Sequence, residues 1–173
     1  MTATKIKKLA LLSILTAVSL IMFLIEAQIP LPVPLPGIRL GLSNIITTCV
    51  LFLFGWKEAA LLALVRVVLG SVITGQLGSI AYSLCGAFLS LLGMILLRPI
   101  LQERQFWVAG IIGGALHNIG QMATAIVISR TPSLLVYLPV LLVCGMLAGL
   151  FTGLCAQFLL QRLKKSFSPE DKP

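Results

Sequence analysis

Arg66 stands midway along an apolar run, residues 59–73, where a charge held at membrane depth costs about 2.5–3.5 kcal/mol. Something must offset that cost: either a water-filled or ligand-filled cavity lined by the guanidinium, or a structural bridge from it to Glu26 or to backbone carbonyls. Three further polar side chains, His117, Asn118 and Gln121, lie in the middle of a later apolar run. Their i, i+3 and i+4 spacing on a helix puts Gln121 on a face shared with both others. Asn44 lies in the outer part of an earlier run, and Glu26 and Gln28 close the end of the first. In such a group Arg66 would attract an anionic or polar moiety, while Asn44, His117, Asn118 and Gln121 would supply oriented hydrogen bonds. These five are the candidate binding residues. His117 by itself equally fits an interhelical hydrogen bond.

Catalysis is not expected. The chain has five acidic residues and one histidine, and its only aspartate is Asp171, near the C-terminus. No GxxxxGK[ST] loop is present, which excludes ATP hydrolysis by the P-loop mechanism. A metal site would want further His, Cys or carboxylate ligands close to His117. The four cysteines, Cys49, Cys85, Cys144 and Cys155, are scattered singly without a CxxC pair and read as small apolar fillers. Neither a metal nor a cofactor is expected.

The elements that position these groups are set by composition. At 58% hydrophobic and 10% charged, 173 residues cannot cover a soluble domain with polar groups. A bilayer crossing takes about 20 apolar residues, so the chain supplies five or six, and membrane lipid is the expected surrounding. The predicted architecture is an all-α integral membrane protein, a bundle of six transmembrane helices in one domain. Its spans are expected at about 9–27, 40–56, 59–73, 80–97, 107–128 and 134–160. A basic cytoplasmic tail over 161–173 follows. The second and third runs are short enough to be tilted or partly re-entrant. Between the first two runs, alternating prolines from Pro30 to Pro36 forbid helix and leave an extended loop.

Charge sidedness supports six crossings. With a cytoplasmic N-terminus, Lys5, Lys7, Lys8, Lys57, Arg98, Arg104, Arg162, Lys164, Lys165 and Lys172 fall inside, while Arg39 and Arg130 fall outside. That asymmetry obeys the positive-inside rule and predicts a multi-pass protein of the bacterial cell membrane with both termini cytoplasmic. It also accounts for the net charge of +8 without nucleic acid, which is not an expected partner. Small residues recur at helix-packing spacing: Gly145, Gly149 and Gly153 on the last run, and Gly110 and Gly114 on the fifth. Such stripes bring helix backbones close in lipid, either within the chain or against another subunit. Ala10, Ser13 and Ala17 form a weaker stripe on the first run, the candidate partner-binding face.

Three segments carry a resemblance: Pro36-Gly-Ile-Arg-Leu-Gly-Leu-Ser-Asn-Ile-Ile46; Arg66-Val-Val-Leu-Gly-Ser71 followed by Gly75-Gln76; and Gly114-Ala-Leu-His-Asn-Ile-Gly-Gln121. Together they resemble the Gx transporter family, widely labelled heptaprenyl diphosphate synthase component I and similar to the S components of energy-coupling factor transporters. The resemblance implies an S-component-like six-helix bundle with a pocket opening outward, covered here by the Pro30–Pro36 loop. It implies a substrate-binding transport component for a small polar or anionic molecule. S components recruit a membrane coupling subunit and two ATPases through small residues of the first helix, and Ala10, Ser13 and Ala17 match that pattern imperfectly. Two alternatives come with the family: a membrane subunit of a quinone or flavin system for extracellular electron transfer, and a non-catalytic subunit associated with heptaprenyl diphosphate synthase. Prenyl diphosphate synthases hold magnesium and diphosphate with paired aspartate-rich motifs, and no DDxxD is present here.

Overall fold

The computed structural model describes residues 3–29, 39, 41–102 and 105–167. The chain folds into six α-helices in sequence order: α1 (Ala3–Glu26), α2 (Asn44–Leu53), α3 (Trp56–Ile73), α4 (Ser79–Leu97), α5 (Phe106–Ser129) and α6 (Leu138–Phe167). A 3-10 segment, Pro132–Tyr137, joins α5 to α6. No strand occurs among the described residues. Four stretches are long and apolar enough to cross a bilayer: Lys5–Glu26, Ser79–Leu97, Phe106–Ser129 and Pro132–Arg162.

The second run is helical over only part of its length. The apolar run over 40–56 is helical only from Asn44 to Leu53. Ten residues at 1.5 Å each make roughly 15 Å, about half of a hydrocarbon core, so α2 is too short to cross alone. Two glycines bound it. Gly41 takes φ +84° and Gly55 φ +114°, a region that side-chain-bearing residues enter only at a cost, so the run bends at both ends instead of continuing as helix. The third run does form a long helix, but Lys57, Glu58 and Arg66 lower its apolar character.

Packing divides the bundle into two kinds of contact. At the end where α1 begins, the core is apolar and built from every helix, including Leu15, Val50, Leu62, Met94, Phe106 and Leu160. Phe52 of α2 and Phe106 of α5 stack there with ring centroids 4.1 Å apart. Lys8 Nζ donates to Glu58 at the rim of that end, joining α1 to α3. Along α5 and α6 the contact is instead between backbones. A Cβ on Gly114 would collide with the carbonyl oxygen of Gly145, one on Gly110 with that of Gly149, and one on Gly153 would come within 2.7 Å of the Trp107 Cα. The glycine stripes of the fifth and sixth runs therefore face each other within the chain, gaining dispersion contact where lipid gives apolar side chains no reason to associate.

Candidate functional site

The opposite end of the bundle, where α1 stops, buries polar groups. Glu26 is the last residue of α1, and its carboxylate accepts hydrogen bonds from the Gly41 N–H and from Ser43 N–H and Oγ, the latter two at 3.4 Å. Ser43 is the residue before α2, so Glu26 caps the positive end of α2 from another helix. Gly41 has to be glycine for a second reason besides its φ. A Cβ there would sit 3.0 Å from Asn44 Nδ2 and 3.3 Å from His117 Cδ2.

Arg39 precedes that turn and is buried, with 4% of its surface exposed. Its N–H donates to Gln121 Oε1 at 3.1 Å, and its guanidinium donates to the Phe23 carbonyl at 3.0 Å and to Gln76 Oε1 at 3.2 Å. The guanidinium carbon also lies 3.7 Å from the centre of the Phe23 ring, a cation–π contact. Phe23 reaches this position because residue 70 is glycine; any Cβ there would occupy the place of the ring.

Arg66 is 1% exposed and donates to Thr47 Oγ1 and Asn44 Oδ1, each at 3.3 Å. Both acceptors are neutral. Among the described residues no carboxylate lies within 4 Å of it, so the bridge from Arg66 to Glu26 does not form. The reason is geometric: Glu26 is already committed to the turn that opens α2.

Of the five residues expected to bind a ligand, four form two hydrogen-bonded pairs, and Arg66 and His117, one from each pair, line the same cavity. Asn44 and Arg66 touch each other, and Gln121 Nε2 lies 3.0 Å from His117 Nε2. Because Gln121 Oε1 accepts from Arg39, its amide nitrogen is the one that faces the imidazole. A neutral His117 then accepts at Nε2 and carries its proton on Nδ1. Asn118 points elsewhere, donating across the seam to the Leu141 carbonyl of α6. One residue of helix turns a side chain by about 100°, enough to separate it from His117.

Arg39 and Ser83 join the site without having been expected in it, and Glu26, expected as a bridge to Arg66, joins it through the turn before α2 instead. Arg39 reads in sequence as an outer loop charge; its place between Ile38 and Leu40 in a Gly-flanked apolar segment is the signal that marks it as buried. Ser83 lies on the face of α4 that lines the cavity, and a lone serine in an apolar run carries no signal. Together with Phe23 and His117, these residues and Arg66 line a cavity of about 10 Å³, room for one water. Ala10, Ser13 and Ala17 lie exposed along α1, away from this network. The Pro30–Pro36 segment expected to cover the pocket lies outside the described residues, as do residues 168–173 of the tail expected over 161–173, whose first part continues α6 to Phe167.

Several buried polar atoms in the cluster have no partner: Arg39 Nε, Arg66 Nε, Asn44 Nδ2, Ser83 Oγ and His117 Nδ1. In a folded interior such groups are normally satisfied, and an excess at one place points to a ligand or to water. Among the described residues no three His, Cys, Asp or Glu side chains come together as metal ligands.

A helical membrane-type protein with a donor-rich polar centre is therefore defined by fold and site together. The chain belongs to the heptaprenyl diphosphate synthase component I family, whose model matches residues 15–159. A component I is a non-catalytic subunit, and the chain is not itself an enzyme. No curated protein and no solved structure matches it.

Proposed function

We propose that this chain is the membrane-embedded, non-catalytic component of a heptaprenyl diphosphate synthase assembly, multi-pass in the bacterial cell membrane with both termini cytoplasmic. The family match over residues 15–159 carries the reading, and the four long apolar helices fit it. Diphosphate chemistry needs clustered carboxylates to hold magnesium, and a chain with one aspartate has to leave that work to a partner. In this reading the end carrying Lys8, Lys57 and Glu58 faces the cytoplasm and receives the soluble catalytic chain. Affinity purification from native membranes in mild detergent, with mass spectrometry of what co-purifies, tests it. Recovery of a polyprenyl diphosphate synthase is expected. Recovery of a membrane coupling protein with two ATPases, or of a flavoprotein or quinone reductase, overturns it.

A second reading rests on a different observation, the unpartnered donors around Arg66. In it the chain is a substrate-binding component of S-component type: α2 and α3 complete a six-helix bundle, and the cluster receives a small polar or anionic molecule from the outer face. The exposed stripe of Ala10, Ser13 and Ala17 then meets a coupling subunit. The same purification separates the two.

A further inference from the structure

We propose that the cavity between Arg39, Arg66, Ser83 and His117 is a buried anion site that takes a single halide-sized ion, chloride being the probe of choice. Charge, donors and volume agree on this. Two guanidiniums line the cavity and one carboxylate does, leaving an excess of one positive charge among groups that are nearly or wholly buried. Glu26 does not quench either guanidinium by contact, since its oxygens accept from Gly41 and Ser43. Burying a charge without a counter-charge is among the costliest arrangements in a protein, and more so in lipid.

The unpartnered atoms are of one kind. Arg39 Nε and Arg66 Nε are N–H donors, Ser83 Oγ can donate, and His117 Nδ1 carries the imidazole proton by the argument from Gln121. Asn44 Nδ2, another unpartnered donor, lies against Gly41, which itself lines the cavity. All of these can donate, and the one carboxylate of the lining, Glu26, is already engaged by Gly41 and Ser43, so the open capacity suits an anion better than a cation. An anion finds the Nε–H of both arginines and the Ser83 hydroxyl, the charged donors being the strong kind, with the His117 imidazole beside them.

Volume then selects the ion. About 10 Å³ admits one water-sized body. A water would satisfy some donors and leave the charge excess untouched. A phosphate or a carboxylate-bearing molecule needs the site to open, whereas a halide needs the lining side chains to yield by a few tenths of an ångström. This inference shares its location with the second reading above but not its fate. Co-purified partners decide the assembly, and ion titration decides the occupant.

The test uses the purified full chain in detergent, exchanged into sodium gluconate, with chloride or bromide replacing gluconate at constant ionic strength while thermal unfolding is followed. The expected result is a saturable rise in Tm with both halides. The half-saturating concentration should increase about tenfold in Arg66→Gln and several-fold in Ser83→Val, a near-isosteric change that keeps the fold should the arginine variant fail. Lys57→Gln, at the other end of the bundle, should leave it unchanged. A Tm equal in gluconate and halide means that water alone fills the cavity and overturns the proposal. A rise with acetate or phosphate but not with halides overturns the one-atom site as well.

Discussion

The α5–α6 seam and the arginine cluster are both buried and both poor in apolar side chains, yet they are held by opposite means. In the seam, glycines remove side chains so that backbones touch, and a Cβ at Gly110, Gly114, Gly145, Gly149 or Gly153 would meet the facing helix. In the cluster, long polar side chains converge, and five of their atoms are left without a partner. The seam has no freedom to change and no chemistry to offer. The cluster has unmet hydrogen-bonding capacity and an excess of positive charge. Close backbone packing and unmet polar capacity lie in separate parts of one small bundle.

Substitutions can break or sharpen this contrast. The largest effect belongs to the seam: Gly114→Leu should cost about 3 kcal/mol or more, because backbone cannot retreat as a side chain can. Loss of a monodisperse peak in size-exclusion chromatography would register it. Gly78→Ala is the matched control, since nothing lies within 4 Å of the added Cβ, and its Tm should stay near that of the parent. Equal tolerance of both would show that the seam is not rigid.

Within the cluster, Glu26→Gln should cost about 1–2 kcal/mol through the weakened cap on α2, read as a lower Tm in gluconate. The same change raises the excess charge of the cavity from one to two and should tighten halide binding roughly tenfold. A variant both less stable and a better anion binder is the signature of a functional cluster; a variant only less stable would reduce Glu26 to a cap.

The smallest effect is at the far rim. The Lys8 ammonium, by donating to Glu58, holds that carboxyl below its ordinary value of 4.5. A carboxylate depressed in the folded state adds stability above the unfolded value and loses it as pH falls through the folded one. This pair is partly solvent-exposed, so Glu58→Gln should lower Tm by no more than a degree or two at pH 7, and the difference should shrink as pH falls below the ordinary carboxylate range. A pH-independent difference would assign the effect to packing instead.

Most of the helical plan could be read from the chain, because twenty-odd apolar residues in a row leave little choice of structure. α1, α4, α5 and α6 fall close to the runs expected for them. The extent of α2 was hidden, since hydropathy cannot see that Gly41 and Gly55 turn the backbone at both ends of an otherwise continuous apolar stretch. Arg66, Asn44, His117 and Gln121 stood out because polar groups at membrane depth need a reason. Arg39 did not, because a charge next to a proline-rich loop reads as solvated until the turn at Gly41 is seen to fold it inward, and Glu26 was legible as a buried acid but not as the cap of α2. Asn118 reads with His117 by spacing and parts from it by helical rotation.

The two acceptors of Arg66 have a consequence for biogenesis. Asn44 and Thr47 lie only 22 and 19 residues before it, on the helix synthesised just ahead. The guanidinium therefore leaves the ribosome with its first hydrogen bonds already at hand, and α2 and α3 can pair before α5 exists. The Arg39 guanidinium likewise finds Phe23 before it and Gln76 soon after, but its backbone N–H is bound to Gln121, 82 residues later, and has to wait. The cluster is thus completed only when the fifth helix arrives, which makes it a late checkpoint of assembly as well as the place where the finished molecule keeps its unspent charge.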